Sequence, residues 1–276
     1  MRTEWDNAVL TIYDSGGFDA EASFFCGQCF RWEKLGKGFF GGVVNGQKLL
    51  LTQHGDTVSL APVAAGDIAA ALHYLALDDD YAALHAQLCR NPVLRRCVAS
   101  APGIRVLHQD FFEMLLTFII SQNNNIPRIR GIVDRLCTLC GETLADNCHA
   151  FPTPQSLAAK TEEDLAVLRA GWRSGYLLDA AHKVADGSVS ETALRALSLA
   201  DARALLMTIR GVGPKVADCV LLFGLGRMDA FPTDVWMKRA MAALFPKGLP
   251  RYLAPIAGIA QQYIFDYARH NPKLVS

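Results

Sequence analysis

Lys215 and Asp234, 19 residues apart in this 276-residue chain, are the pair whose types and spacing point most directly to chemistry. Lys215 follows Gly211-Val212-Gly213-Pro214, a tight turn between two helix-like stretches, Asp201 to Ile209 and Lys215 to Leu225. Glycines tolerate positive φ and leave backbone N–H groups uncovered, and proline suits the first position of a helix. Uncovered N–H groups at a helix start, here those of Gly211 and Gly213, make a seat for phosphate. Lys215 then falls in the first helical turn, where the positive end of the helix dipole disfavours an ammonium and favours a nucleophilic amine. Cys219, one turn further on, shares the helix face of Lys215. Asp234 follows Phe231-Pro232-Thr233 and precedes the helical run Val235 to Leu244, so it can cap that helix while turning a carboxylate toward the lysine. Singly these are an ordinary turn, a solvated lysine, a core thiol and a plain cap. Together they point to chemistry on DNA.

Two kinds of element must position these groups. From about Phe18 to Pro62 the chain alternates short β-prone runs with turns, and Asn45-Gly46 between Phe39 to Val44 and Gln47 to Thr52 is a type I′ hairpin signal. After Ala64 the periodicity is helical, with runs at Asp67 to Leu77, Tyr81 to Cys89, Pro92 to Val98, Asp110 to Gln122, Pro127 to Cys140, Thr161 to Ala170, Arg173 to Asp186 and Leu253 to Ala268. The expected class is α+β: an N-terminal antiparallel sheet domain with a helical connection (1–100), packed on a mainly α-helical domain (101–276) that carries a helix-hairpin-helix at about 201–225. The 51% hydrophobic content is enough for a sizeable core. No internal repeat, low-complexity tract or long linker interrupts it.

The longest apolar runs, such as Met114 to Ile120, are far short of a membrane span, and MRTEWDNAVL lacks both a basic presequence and an apolar signal core. The expected location is the cytoplasm on the nucleoid of a prokaryote, or the nucleus of a eukaryote. Zero net charge is unusual for a nucleic-acid binder, yet residues 203–276 hold ten Lys/Arg against four Asp/Glu, so positive charge gathers around the hairpin. Cys26/Cys29 and Cys137/Cys140 have the spacing of zinc half-sites, but the second pair lies in a helical stretch where thiols serve as small apolar residues. Asp78-Asp79-Asp80 reads as a helix start or loop cluster, since consecutive helical residues point different ways.

The hairpin segment, with GVGPKVADC and the aspartate beyond it, resembles the 8-oxoguanine DNA glycosylase/lyase branch of the helix-hairpin-helix DNA glycosylase superfamily. Three further segments agree, in order: Cys26 to Trp32 resembles the family's N-terminal motif, Phe118 to Ile126 its triple-asparagine motif, and Ala257 to Phe265 its C-terminal base-pocket segment. No cysteine follows residue 219, whereas iron-sulfur relatives carry four in a C-terminal loop. The resemblance implies an enzyme that turns an oxidised base out of duplex DNA, removes it through a lysine Schiff base and nicks the strand by β-elimination. Lys215 and Asp234 are then catalytic, the aspartate stabilising positive charge on the sugar. Gly27 offers its carbonyl to the N7–H that 8-oxoguanine has and guanine lacks, Gln261 reads the Watson-Crick edge, and Phe265 and Cys219 sandwich the ring.

By the same resemblance, Asn123, Arg128 and Arg173 read the cytosine left without a partner, Asn124 helps fill the gap, and Trp172 stands where an aromatic wedge, commonly Tyr or Phe, is expected. Gly211, Gly213, Lys238 and Arg239 face phosphate. The implied partner is double-stranded DNA with 8-oxoguanine opposite cytosine, bound by a monomer with no membrane association. No cofactor or catalytic metal is implied, although a structural cation at the hairpin carbonyls around Arg210 and Val212 would match related hairpins. One departure stands out: Trp236 occupies a position where many eukaryotic members have histidine, so a phosphate contact there passes to a neutral indole or to Lys238 and Arg239. An ion pair between Lys215 and the Cys219 thiolate is a further expectation. The alternatives are an alkylated-base glycosylase, which normally lacks a lysine at 215, and a non-catalytic hairpin module, which needs neither Lys215, Gly27 nor Phe265.

Overall fold

The computed structural model describes residues 1–274. Six antiparallel strands, β1 (Arg2–Asp6), β2 (Val9–Tyr13), β3 (Trp32–Gly36), β4 (Phe39–Val44), β5 (Gln47–His54) and β6 (Thr57–Ala61), form one sheet in the order β1-β2-β6-β5-β4-β3. Alternating burial along β4 and β6 puts one face, with Phe40, Val58 and Leu60, on the core. Asn45 and Gly46 both take positive φ, 48° and 75°, as the expected type I′ turn requires.

The sheet begins before the region read as β-prone, about Phe18 to Pro62, and a helix interrupts that region. The β1–β2 hairpin turns at Asn7-Ala8, also at positive φ (47° and 63°), without the glycine that signals such a turn, and every residue of β1 is exposed. A short helix, α1 (Ala20–Phe25), interrupts the strands because the Asp19 carboxylate accepts the Ala22 N–H (2.9 Å) and starts a helix there. Under the sheet, Phe24 stacks on Trp32 with centroids 4.2 Å apart, and the Trp32 indole donates to the Tyr74 hydroxyl (2.8 Å).

Helices α2 (Ile68–Tyr74), α3 (Tyr81–Leu88) and α4 (Pro92–Ser100) lead out of the sheet, and Leu84, Leu88 and Leu94 of α3 and α4 already belong to the helical core. That core is centred on α5 (Phe111–Ser121), whose residues from Phe111 to Ile120 are buried apart from Glu113 at its edge. Around it lie α6 (Ile126–Cys140), α7 (Pro154–Ala158), α8 (Arg173–Ala185), α9 (Glu191–Ala196), α10 (Leu199–Leu206), α11 (Pro214–Leu225), α12 (Val235–Leu244) and α13 (Ala257–His270). The stretch Thr161 to Ala170 forms a 3₁₀ segment, Asp164–Leu168, in place of the expected α-helix, because Arg169 (φ 53°) and Gly171 (φ 62°) turn the chain left-handed. Pro255, lacking an N–H, splits the expected C-terminal helix into a 3₁₀ turn, Arg251–Ile256, and α13. Among the described residues no helix is long and apolar enough to cross a membrane.

Candidate active site

The hairpin is built as its residues demand. Gly211 sits at φ 80°, and a Cβ there would lie 2.0 Å from the Tyr176 ring, so only glycine fits. Val212 closes the turn by donating to the Ile209 carbonyl (3.1 Å), and Pro214 opens α11. The Arg210 N–H donates to Asp179 (2.7 Å), which also pairs with Lys183 (2.9 Å), so the hairpin is anchored to α8.

Lys215, in the first turn of α11, places its ammonium over the Phe118 ring, 4.9 Å from the centroid. Phe118 stacks on Phe223 (5.4 Å) and meets Phe30 edge to face (6.2 Å). Burial pushes the Cys219 thiol up to about 11, with Lys215 beside it holding it down. Cys219 is therefore a neutral thiol at physiological pH, which corrects the expected thiolate-lysine ion pair: the desolvation of a fully enclosed sulfur outweighs the neighbouring charge. Asp234 caps α12 as expected, its carboxylate accepting the Met237 N–H at 2.6 Å. Its charge also reaches Cys219, so Lys215, Cys219 and Asp234 share one neighbourhood.

A second cluster forms where the sheet domain meets α13. Gly27, at φ 92°, lies under Phe265, whose Cε1 would be 3.7 Å from a Cβ at residue 27. Gln261, one turn earlier on α13, is buried, and its Oε1 accepts no hydrogen bond among the described residues. The loop that presents Gly27 is clamped from both domains. Gln28 donates to the carbonyls of Ser23 (2.8 Å) and Arg105 (2.7 Å) and accepts from Leu107 (2.9 Å), while Gln109 donates to the Gln28 carbonyl (2.9 Å). From α13, Gln262 reaches the Cys26 carbonyl (3.3 Å). Phe30 joins this loop to Phe118, and so to the lysine.

A third cluster surrounds the start of α6. Asn123 takes φ 47°, Asn124 donates to the Ile120 carbonyl (3.0 Å), and Asn125 caps α6 by accepting the Arg128 N–H (3.0 Å). Buried Arg173 donates to the Gln122 carbonyl and, at 3.4 Å, to that of Asn123, while its Nε has no partner among the described residues. Trp172 is 52% exposed, meets Tyr176 edge to face (5.1 Å), and lies under the Arg173 guanidinium (4.2 Å). Lys238 and Arg239 are exposed on α12, and the buried Trp236 indole N–H beside them has no acceptor among the described residues.

Sequence reasoning missed Phe118, Phe30, Tyr176 and Gln28. Phe118 and Phe30 lay inside motifs already noted, but nothing local says that an aromatic will sit under a lysine 97 residues later. The cysteine pairs are free thiols: those of Cys26 and Cys29 are buried and donate to the Ser23 and Phe24 carbonyls (both 3.2 Å), burial pushes Cys137 up to about 12, and Cys140 is half-buried. Asp80 caps α3, as read, whereas Asp78 and Asp79 each bond a histidine, His73 and His108 (2.9 Å both).

Known proteins share this fold. Residues 11–115 match the model of the 8-oxoguanine DNA glycosylase N-terminal domain, and residues 116–248 that of the HhH-GPD superfamily of base excision DNA repair proteins. The chain is 33% identical over 232 residues to the N-glycosylase/DNA lyase OGG1 of Arabidopsis thaliana, covering 78% of this chain and 63% of that protein. Among solved structures it superposes on MBOgg1 in complex with a low-affinity DNA ligand (TM-score 0.92, 35% identity, 98% of this chain and 99% of that one). It also superposes on the Clostridium acetobutylicum 8-oxoguanine glycosylase/lyase bound to double-stranded DNA with cytosine opposite 8-oxoguanine (TM-score 0.90, 31% identity, 99% of both chains). With both domain models matched in order and the whole fold shared, the chain belongs to the 8-oxoguanine DNA glycosylase family of the HhH-GPD superfamily.

Proposed function

We propose that this protein excises 8-oxoguanine opposite cytosine from duplex DNA and nicks the strand, acting as a monomer. The observation that carries the reading is the placing of Lys215, at the head of α11 directly behind the hairpin, on an aromatic floor beside Cys219 and Asp234. A phosphate seated at the Gly211–Gly213 turn brings the sugar of an extruded nucleotide toward that lysine. The Lys215 nitrogen bonds to C1′ as the glycosidic bond breaks. The base leaves with the bonding pair and takes up the proton that the lysine nitrogen gives up. Asp234 stabilises the positive charge that develops on the sugar. The resulting aminal opens to a Schiff base, which acidifies the 2′ proton, and loss of that proton expels the 3′ phosphate.

Discrimination rests on the clamped loop. The Gly27 carbonyl accepts the N7–H of 8-oxoguanine but faces a lone pair on guanine, a difference of about 1 to 3 kcal/mol. The unpartnered Gln261 Oε1 supplies an acceptor for the base edge, and Phe265 a stacking face. Asn123, Arg128 and Arg173 read the cytosine, and Trp172, exposed and backed by Tyr176, enters the stack with Asn124. The Trp236 indole N–H, with Lys238 and Arg239, meets phosphate. The Arg210 and Val212 carbonyls accept no hydrogen bond among the described residues, so both are open to a cation bridging to phosphate.

The test is borohydride trapping on a duplex with 8-oxoguanine opposite cytosine. Wild-type protein gives a covalent protein-DNA band, and Lys215→Gln gives none while still binding the duplex. Tight binding with no band from the wild type would reduce the reading to a monofunctional glycosylase or a DNA-binding module.

A further inference from the structure

Gln261, Phe265 and Arg269 follow one another at four-residue intervals along α13, so their side chains succeed one another on one side of the helix. The base pocket described above uses the first two. Arg269 extends it toward solvent: the residue is exposed, and its guanidinium stands over the Phe265 ring, 5.8 Å from the centroid. It also reaches the loop that reads the base. A Cβ at Gly27 would lie 3.7 Å from Phe265 Cε1 and 3.9 Å from Arg269 Nη1, so the aromatic edge and the cation meet Gly27 side by side. Burial pushes the adjoining Cys26 thiol up to about 12, and Arg269 is among the charges pulling the other way.

A cation in the last turn of a helix is ordinarily explained by the helix dipole alone. Two observations set Arg269 apart. Its guanidinium is turned onto the Phe265–Gly27 contact, where a base would dock. Among the described residues it also donates to no acceptor and pairs with no carboxylate. Asp266, the acid on the same helix, turns to His270 (3.4 Å), and burial pushes its carboxyl up. The donors of Arg269 are therefore left for a ligand.

On a purine, position 8 adjoins N7. A base whose N7–H meets the Gly27 carbonyl brings its 8-substituent to the neighbourhood of Arg269. Oxidation changes that substituent from a C–H, which accepts nothing, to a carbonyl oxygen. We propose that Arg269 is a specificity-determining residue that donates a charged hydrogen bond to O8 of the extruded 8-oxoguanine. The base is then read twice on one edge, as a donor at N7 and as an acceptor at O8. This rests on the assignment of the base pocket given above. The contact strengthens as the base leaves with the bonding pair, because part of that charge spreads from N9 onto O8.

Single-turnover assays of wild type, Arg269→Met and Arg269→Lys test this on two duplexes, one with 8-oxoguanine opposite cytosine and one with a preformed abasic site opposite cytosine. Arg269→Met should excise 8-oxoguanine about 10-fold or more slowly, the loss of a charged hydrogen bond. Arg269→Lys, which keeps the charge at the helix end, should recover part of the rate. Both variants should nick the abasic site, which has no O8, at the wild-type rate. Anisotropy titrations with uncleavable 2′-fluoro duplexes complete the test: Arg269→Met should bind 8-oxoguanine more weakly and guanine unchanged. The proposal is overturned if Arg269→Met excises 8-oxoguanine at the wild-type rate. It is overturned equally if abasic-site nicking or guanine binding falls by the same factor, the mark of a phosphate contact or a structural role. Wild-type protein that nicks the abasic site but leaves 8-oxoguanine in place would overturn the base-pocket assignment itself, and this proposal with it.

Discussion

Replacing Gly211 and Gly213 by alanine, one at a time, separates what the hairpin needs to fold from what it needs to bind. At Gly211, alanine must adopt φ near 80°, a left-handed conformation that costs an L-residue about 1 to 2 kcal/mol. Its Cβ would also fall 2.0 Å from Tyr176 Cδ2 and 2.3 Å from Cε2, so the ring or the turn must move. Tyr176 cannot swing freely, since it is packed against Trp172 and approached by Arg210. Relieving such overlap in a packed site costs about 1 to 3 kcal/mol more. The expected loss is therefore roughly 2 to 5 kcal/mol, a fall in melting temperature of roughly 5 to 15 °C for a domain of this size. Gly213 is the opposite case: its φ of −99° is open to any residue and nothing lies within 4 Å of a Cβ there. Gly213→Ala should melt at or slightly above the wild-type temperature, because alanine has less freedom to lose on folding. It should nonetheless bind duplex DNA more weakly, because the methyl stands between backbone and phosphate. Calorimetric melts and fluorescence-anisotropy titrations on the same preparations measure both. If Gly211→Ala melts within a degree of wild type, or the two variants lose stability equally, the account of the turn is wrong.

Three other outcomes follow from the geometry. Asp234→Asn keeps an acceptor for the Met237 N–H, so its melting temperature should stay near wild type while single-turnover base excision falls about 100-fold or more; comparable activity would remove Asp234 from the chemistry. Phe118→Leu removes the ring under Lys215, and should lower the rate of borohydride trapping with little change in duplex affinity, Phe118→Tyr restoring it; equal rates in all three would leave Phe118 a packing residue. Glu113, lifted by burial to about 7 from an ordinary 4.5, holds a proton in the folded chain that the unfolded chain has released. Its contribution is complete below about pH 4.5 and lost as pH rises through 7, so Glu113→Gln should gain stability relative to wild type at pH 8 compared with pH 5 in urea titrations.

How much of this was legible in the sequence follows the range of the interactions. The hairpin, the proline at the start of α11 and the Asp234 cap are decided within four or five residues, and the structure has them as read. The split at Pro255 was equally local but was overridden in reading by the apolar periodicity around it. The β1–β2 hairpin escaped because β1 buries nothing and its turn uses Asn-Ala. Phe118, Tyr176 and Gln28 escaped for another reason: each has a contact that matters to the site, with Lys215, Gly211 and Arg105, that lies 97, 35 and 77 residues away, beyond the range of local pattern. The Cys219 ion pair was misjudged because spacing reveals a neighbour's charge but not the solvent that has been excluded.

The loop bearing Gly27 is fastened by bonds that run to Ser23 on one side, to Arg105, Leu107 and Gln109 on the other, and to Gln262 on α13. In the proposed reading, telling a damaged base from a normal one depends on where a single carbonyl points to within a few tenths of an ångström. On that reading the aim is set by the joint between sheet and helices, and accuracy becomes a mechanical property of the seam. Loosening the joint, by heat, mild denaturant or a substitution at buried Gln28, would in that reading raise the rate of mistaken excision before it lowered the rate of correct excision.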